Sequence, residues 1–186
     1  MPLPQRMAAP MTKVFIDGRA GTTGLQIEGR MGIREDISLI SLPEHLKKDP
    51  AARKDAINSA DFVFLCLPDD AAIEAAGMVE GTHTRIIDAS TAHRTDPNWA
   101  YGFPELSQAH RRAIEQAQFV ANPGCHATGF IALTYPLVQL GILPPDYPLC
   151  AHSLTGYTGG GKKMIAQYES PERDPEYDSP RHYGLN

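Results

Sequence analysis

Lys13-Val14-Phe15-Ile16-Asp17-Gly18-Arg19-Ala20-Gly21-Thr22-Thr23-Gly24 runs from a short apolar strand into a glycine-rich turn, and a helical stretch around Leu25 to Met31 follows. Strand, glycine turn and helix in that order open a dinucleotide-binding unit. Glycines let the backbone come close to a pyrophosphate, and a helix start supplies unpaired N–H groups and positive potential. Gly18, Gly21, Thr22, Thr23 and Gly24 are therefore the expected cofactor contacts. The spacing is G-x-x-G-x-x-G and not the commoner G-x-G-x-x-G, so the placement directly behind a strand carries the reading. A tight strand-to-helix turn without a ligand is the alternative.

Beyond this unit, Ile37 to Leu42 reads as a second strand. An acidic residue near its end would bind the ribose 2′-OH of NAD. Here Ser41-Leu42-Pro43-Glu44 leads into His45-Leu46-Lys47-Lys48, and Ser41 with a nearby cation such as Lys47 suits a 2′-phosphate. The expected cofactor is NADP, against a solvated loop with incidental charge.

Asp61-Phe62-Val63-Phe64-Leu65-Cys66-Leu67-Pro68 is apolar nearly throughout, as a strand covered on both faces should be. Cys66 within it reads as core. Asp69 and Asp70 are placed to cap a helix over Ala71 to Val79. Thr84 to Ala89 reads as a further strand, followed by Ser90-Thr91-Ala92-His93-Arg94. Loops at the carboxyl ends of parallel strands face the ligand crevice, which makes Arg94 a candidate anion clamp, against the alternative of a surface arginine. A helix with apolar positions 106, 109, 113 and 117 on one face and a short strand, Gln118 to Ala121, complete the alternation. The fold class expected is α/β, a Rossmann-like doubly wound parallel sheet.

Asn122-Pro123-Gly124-Cys125-His126-Ala127-Thr128-Gly129 then delivers a cysteine to the start of an apolar helix. Orphan N–H groups and the helix dipole favour a thiolate there, which suits a nucleophile that attacks an acyl carbon and holds a thioester. Cys125 is the candidate catalytic residue; a small residue buried after a turn is the alternative. Adjacent helical residues point about 100° apart, so His126 is not expected to face the Cys125 sulfur. Thr128 to Leu140 is apolar on most sides and expected to be buried, with a kink at Pro136 and an end at Gly141. Leu149 to Leu154 reads as a strand of a second domain. Thr155-Gly156-Tyr157-Thr158-Gly159-Gly160-Gly161-Lys162-Lys163 reads as a mobile glycine loop able to cradle an anion or cofactor, with Gly159 as its candidate contact; a flexible connection is the alternative. No element is expected in the Pro-, Asp- and Tyr-rich tail from Glu169.

The 186 residues are 42% hydrophobic and 21% charged, enough apolar material for a proper core. A net charge of -5 argues against nucleic acid or an anionic membrane as partner. Three cysteines without metal-type spacing suggest a reducing compartment and give no metal site. No apolar run approaches the roughly 20 residues that cross a bilayer, and Met1 to Pro10 lacks a signal-peptide core. A disordered leader at 1–11, a nucleotide domain at 12–121, a partial catalytic domain at 122–186 and a cytoplasmic location are the expectations.

Together Asp17–Gly24, Phe64–Asp70, Ile87–Arg94, Tyr101–Leu106, Asn122–Gly129 and Ser153–Lys162 resemble, in order, the shorter-chain N-acetyl-γ-glutamyl-phosphate reductases, relatives of the aspartate-semialdehyde dehydrogenases. The resemblance implies NADPH-dependent reduction of an acyl phosphate through a Cys125 thioester, in arginine biosynthesis. It adds Pro68 to the cofactor contacts, assigns Arg94 to phosphate or carboxylate, and places Asn122 at the pocket floor. It implies an α+β catalytic and dimerisation domain beginning after the sheet, and a homo-oligomer when full length. His126-Ala127-Thr128 stands where the family usually has Tyr-Pro-Thr. The family's acid/base histidine follows a stretch like Tyr183-Gly184-Leu185, and this sequence stops at Asn186, so the front portion of a longer enzyme is expected. His182 precedes the expected position. Reduction of another acyl phosphate, such as aspartyl or amino-adipyl phosphate, and a non-catalytic NAD(P)-binding module are the competing readings.

Overall fold

A computed structural model of the chain describes residues 11–18 and 22–182. The expected leader up to Pro10, the turn residues Arg19, Ala20 and Gly21, and Tyr183 to Asn186 lie outside the described residues. The described residues form two compact units, divided between Cys150 and Ala151.

The first unit runs β1 (Thr12–Asp17), α1 (Thr22–Met31), β2 (Ile37–Ile40), a 3₁₀ turn (Glu44–Leu46), α2 (Pro50–Ser59), β3 (Phe62–Leu65) and α3 (Asp69–Ala76). It continues with β4 (Arg85–Asp88), β5 (Ala100–Tyr101), α4 (Gln108–Gln116), β6 (Phe119–Ala121) and α5 (Cys125–Gln139). The sheet order is β2-β1-β3-β4-β6-β5 and every neighbouring pair is parallel. Strands alternating with helices in a parallel sheet are the expected α/β class. The chain moves outward from β1 to β2, then returns to place β3 on the other side of β1. That reversal creates a crevice beyond the carboxyl ends of β1 and β3.

The core follows from the apolar runs. Val14, Phe15, Ile16, Val63, Leu65 and Ile86 are buried along the central strands, and Ile57, Ala60, Ala72 and Ala75 cover them from α2 and α3. Each fully buried Leu or Ile contributes roughly 1.5–3 kcal/mol relative to exposure. Buried Thr84 stands 3.1 and 2.9 Å from the carbonyls of Ile57 and Ala60, tying the end of α2 to the start of β4. Asp49 caps α2 through Ala52 N–H, and Ser107 caps α4 through His110 N–H.

Several local expectations change. Asp69 is not a side-chain cap: Pro68 occupies that position, and the Asp69 carboxylate accepts from the backbone and hydroxyl of Thr91 instead. The helix of apolar residues does form, and it ends in a glycine cap as expected. Gly141 takes φ +68° and its N–H donates to Val138, while Ile142 N–H donates to Leu137. The helix is not buried, however. No residue of α5 is buried, and Leu133 and Leu140 are 75% and 72% exposed. Leu149 to Leu154 forms no strand: a strand needs a ladder partner, and the sheet of the described residues does not include this segment.

The second unit contains a 3₁₀ turn (Tyr157–Gly160), α6 (Gly161–Glu169) and a 3₁₀ turn (Pro175–Asp178). The glycine stretch is therefore a helical turn feeding a helix, not a loop, and the tail has an element of its own. Tyr168 organises this unit, stacking on Tyr157 at 5.0 Å and meeting Tyr177 edge-on at 4.8 Å.

Candidate active site

The crevice at the sheet reversal is a cleft of about 450 Å³. Its walls include Asp17 at the end of β1 with Gly18 beyond it, Leu67 and Ala71 after β3, and Leu42, Glu44, His45, Lys47 and Lys48 after β2. That volume falls in the range of roughly 300–1,000 Å³ usual for small-molecule sites. Gly18 is required where it stands: its φ is +87°, and a Cβ there would lie 2.2 Å from the Cys66 carbonyl oxygen. The absence of a side chain lets the first and third strands close together directly beneath the turn.

Thr22 and Thr23 open α1 and Gly24 is buried within its first turn. Gly21 lies outside the described residues. Ser41 follows β2 directly and is exposed; its neighbour Leu42, not Ser41 itself, lines the cleft. Pro68 stands exposed at the N-cap of α3, between the cleft residues Leu67 and Ala71. Lys47 pairs with Glu44, and both sit on the rim with His45 and Lys48. Gly159 lies in the 3₁₀ turn of the second unit.

Arg53 is a cleft residue that sequence reading missed. Its guanidinium donates to Asp17 Oδ2 from Nε at 3.1 Å and from Nη2 at 2.9 Å, and both side chains are buried. A separation of 36 positions hides the pair from any periodic pattern.

Further along the carboxyl edge of the sheet, α5 begins at Cys125 with Gly124 as its N-cap. Cys125 is exposed. The expectation of a cysteine at a helix start thus corresponds to its observed position. Arg94 reaches the same turn: Nε donates to the Asn122 carbonyl and Nη2 to the Ala89 carbonyl, both at 3.1 Å. A Cβ on Gly124 would stand 2.8 Å from Arg94 Nη1. The structure therefore brings Arg94, Asn122 and Gly124 together beside Cys125.

A further group missed in the sequence lies under that loop. Asp88, fully buried, accepts from Ser90 N–H at 2.9 Å, from Ser90 Oγ at 2.6 Å, and meets His93 Nδ1 at 2.6 Å. A polar residue closing an apolar strand, with serine two positions on, is the only local signal for it. Cys66 is half-buried and its thiol is pushed up to about 11, by burial first and then by the charges of Asp88 and Asp17. Its reading as a non-reactive residue agrees with that environment.

A parallel sheet with a glycine turn at its reversal and a cysteine opening a helix at the same edge describes a nucleotide-binding α/β protein with an accessible thiol. The chain belongs to the semialdehyde dehydrogenase family: the NAD binding domain model of that family matches residues 10–117, and its dimerisation domain model matches residues 125–186. A curated relative from Chelativorans sp. named N-acetyl-gamma-glutamyl-phosphate reductase is 54% identical over 166 residues, covering 89% of this chain and 54% of that protein. A relative of the same name from Sinorhizobium medicae is 54% identical over 176 residues, covering 93% and 56%. The chain spans about half the length of the curated relatives it matches. Among solved structures, aspartate semialdehyde dehydrogenase from Francisella tularensis superposes with a TM-score of 0.62 at 16% identity, covering 88% of this chain and 52% of that one. The Vibrio cholerae enzyme II gives 0.58 at 14%, covering 86% and 51%. These structures share the fold. No helix among the described residues is long and apolar enough to cross a membrane.

Proposed function

We propose that this chain is the cofactor-binding and thiol-bearing part of an NADPH-dependent reductase that converts N-acetyl-γ-glutamyl phosphate to N-acetylglutamate 5-semialdehyde and phosphate, in arginine biosynthesis. The observation that carries this reading is Cys125 as the first residue of α5, exposed, with the Arg94 guanidinium against the preceding Gly124. Relatives at 54% identity that carry the reductase name support the choice of acyl phosphate.

The Cys125 thiolate attacks the acyl carbon; an S–C bond forms, the C–O bond to phosphate breaks, and phosphate leaves with the electron pair. Arg94 offers its charge to the departing phosphate or the substrate carboxylate, and Asn122 shapes the pocket floor. A bound nicotinamide would supply a hydride to the thioester carbon, and breaking of the C–S bond would release the aldehyde and return the electron pair to the Cys125 sulfur. Gly18, Gly21, Thr22, Thr23, Gly24 and Pro68 would hold the dinucleotide, with Ser41 next to the cleft residue Leu42, and Gly159 in the glycine stretch is a further candidate contact. Lys47, Lys48 and His45 on the rim, with Glu44 paired to Lys47, are read as the side that takes a 2′-phosphate, hence NADP. Residues 12–121 then serve the cofactor and 122–186 the acyl transfer. The enzyme works as a cytoplasmic homo-oligomer.

Intact-mass spectrometry after mixing with N-acetyl-γ-glutamyl phosphate tests the reading. An acyl adduct on Cys125 with matching phosphate release is expected, and none in Cys125→Ser. No adduct overturns the proposal, and faster acylation by aspartyl phosphate shifts it to the other substrate.

A further inference from the structure

Asp88 lies at the end of β4 with no exposed surface. Burying a carboxylate costs several kcal/mol unless donors surround it, and well-packed apolar residues often serve stability as well or better. What such a group adds is direction. All three groups that meet the Asp88 carboxylate come from the loop that follows it: Ser90 N–H, Ser90 Oγ–H and His93 Nδ1. His93 Nδ1 faces Asp88 Oδ2 at 2.6 Å, so the ring is tied to the carboxylate through that one nitrogen. The His93 ring is stacked on Trp99 at 3.9 Å and 11°, which fixes its plane.

The next residue is Arg94, whose guanidinium bridges Ala89 in its own loop and Asn122 in the turn before α5. The Asp88 backbone carbonyl also accepts from Asn122 N–H at 2.7 Å. One buried residue thus holds both sides of the junction: its side chain the arginine loop, its backbone the cysteine turn.

We infer that Asp88 and His93 are positioning residues that set the Arg94 guanidinium against the Asn122–Gly124 turn and so fix the surroundings of Cys125. The inference rests on the proposed nucleophile role of Cys125. Neither residue touches substrate; they act through Arg94. His93→Phe keeps the stacking on Trp99 and removes the bond to Asp88. Trp99 packing and the apolar core are retained, while the loop carrying Arg94 loses its hinge pin.

The test is the iodoacetamide rate of Cys125, followed by peptide mass spectrometry in the intact chain, together with the Arg94 Nε–H resonance. His93→Phe is expected to change the Cys125 rate at least threefold, to the level of Arg94→Gln, and to abolish protection of Arg94 Nε–H from exchange. In the Arg94→Gln background His93→Phe should have no further effect on the rate. His93→Gln, which retains an N–H donor, should restore most of the wild-type rate. Equal factors in both backgrounds, or an unchanged rate in His93→Phe, overturn the inference. If His93→Phe does not fold, Ser90→Ala is judged by the same criteria. A Cys125 no faster than exposed Cys150 overturns the nucleophile reading and this inference with it; a fast Cys125 indifferent to these variants overturns the inference alone.

Discussion

Arg94 fills the space in which a side chain at position 124 would begin: its Nη1 stands 2.8 Å from the Cβ position of Gly124. The crowding atom is the tip of a long side chain, so it yields cheaply. Gly124→Ala is expected to cost about 1 kcal/mol or less in urea unfolding, yet to displace the guanidinium and alter Cys125 alkylation several-fold. In an Arg94→Ala background the same alanine should be neutral for both readouts. A full effect without Arg94 would place the cause in the turn itself.

Gly18 presents the opposite case. Its neighbour is backbone, the Cys66 carbonyl at 2.2 Å and its carbon at 2.7 Å, and φ is +87°. Neither contact can yield without parting β1 from β3. Gly18→Ala should therefore destabilise the fold by about 2 kcal/mol or more and abolish NADPH binding. Denaturant midpoints and NADPH fluorescence titration measure the two; unchanged affinity would remove Gly18 from the cofactor site.

Lys47 and Lys48 stand on the rim of the same cleft. A charge-assisted contact to phosphate contributes roughly 1.5–3 kcal/mol, equivalent to about tenfold or more in affinity. Lys47→Ala and Lys48→Ala are expected to weaken NADPH by about that factor in at least one case and to leave NADH nearly unchanged. Equal losses for both cofactors would mean the lysines do not read the 2′-phosphate.

The sheet was legible because parallel strands covered on both faces are written as continuous apolar runs, Val14 to Ile16 and Phe62 to Leu65 among them. Cys125 at a helix start was legible because a Pro-Gly turn before an apolar run is a local signal. Asp88 with His93, and Asp17 with Arg53, were not: partners joined through loops or across 36 residues leave no period to read. Asp69 followed local helix-start chemistry in the sequence and a tertiary hydroxyl in the fold. The apolar composition of α5 correctly indicated a helix, but composition does not say what lies beside it. Leu149 to Leu154 shows the same limit for strands, whose existence depends on a neighbour.

The Cys66 thiol makes stability depend on pH. Burial, then Asp88 and Asp17, push its thiol up to about 11, whereas an unfolded chain releases that proton near the ordinary value of about 8.5. Between those values the unfolded state binds fewer protons than the folded state, so stability falls as pH rises through the window. Below it the thiol is protonated in both states and contributes no slope. Urea midpoints of the wild type should drop between about pH 8 and about pH 10.5, and Cys66→Ala should show a shallower drop. At about pH 8 iodoacetamide should spare Cys66 while labelling exposed Cys125 and Cys150. Equal slopes in the two proteins, or early labelling of Cys66, would mean that the thiol is open to solvent and that the end of β3 is not sealed against Gly18.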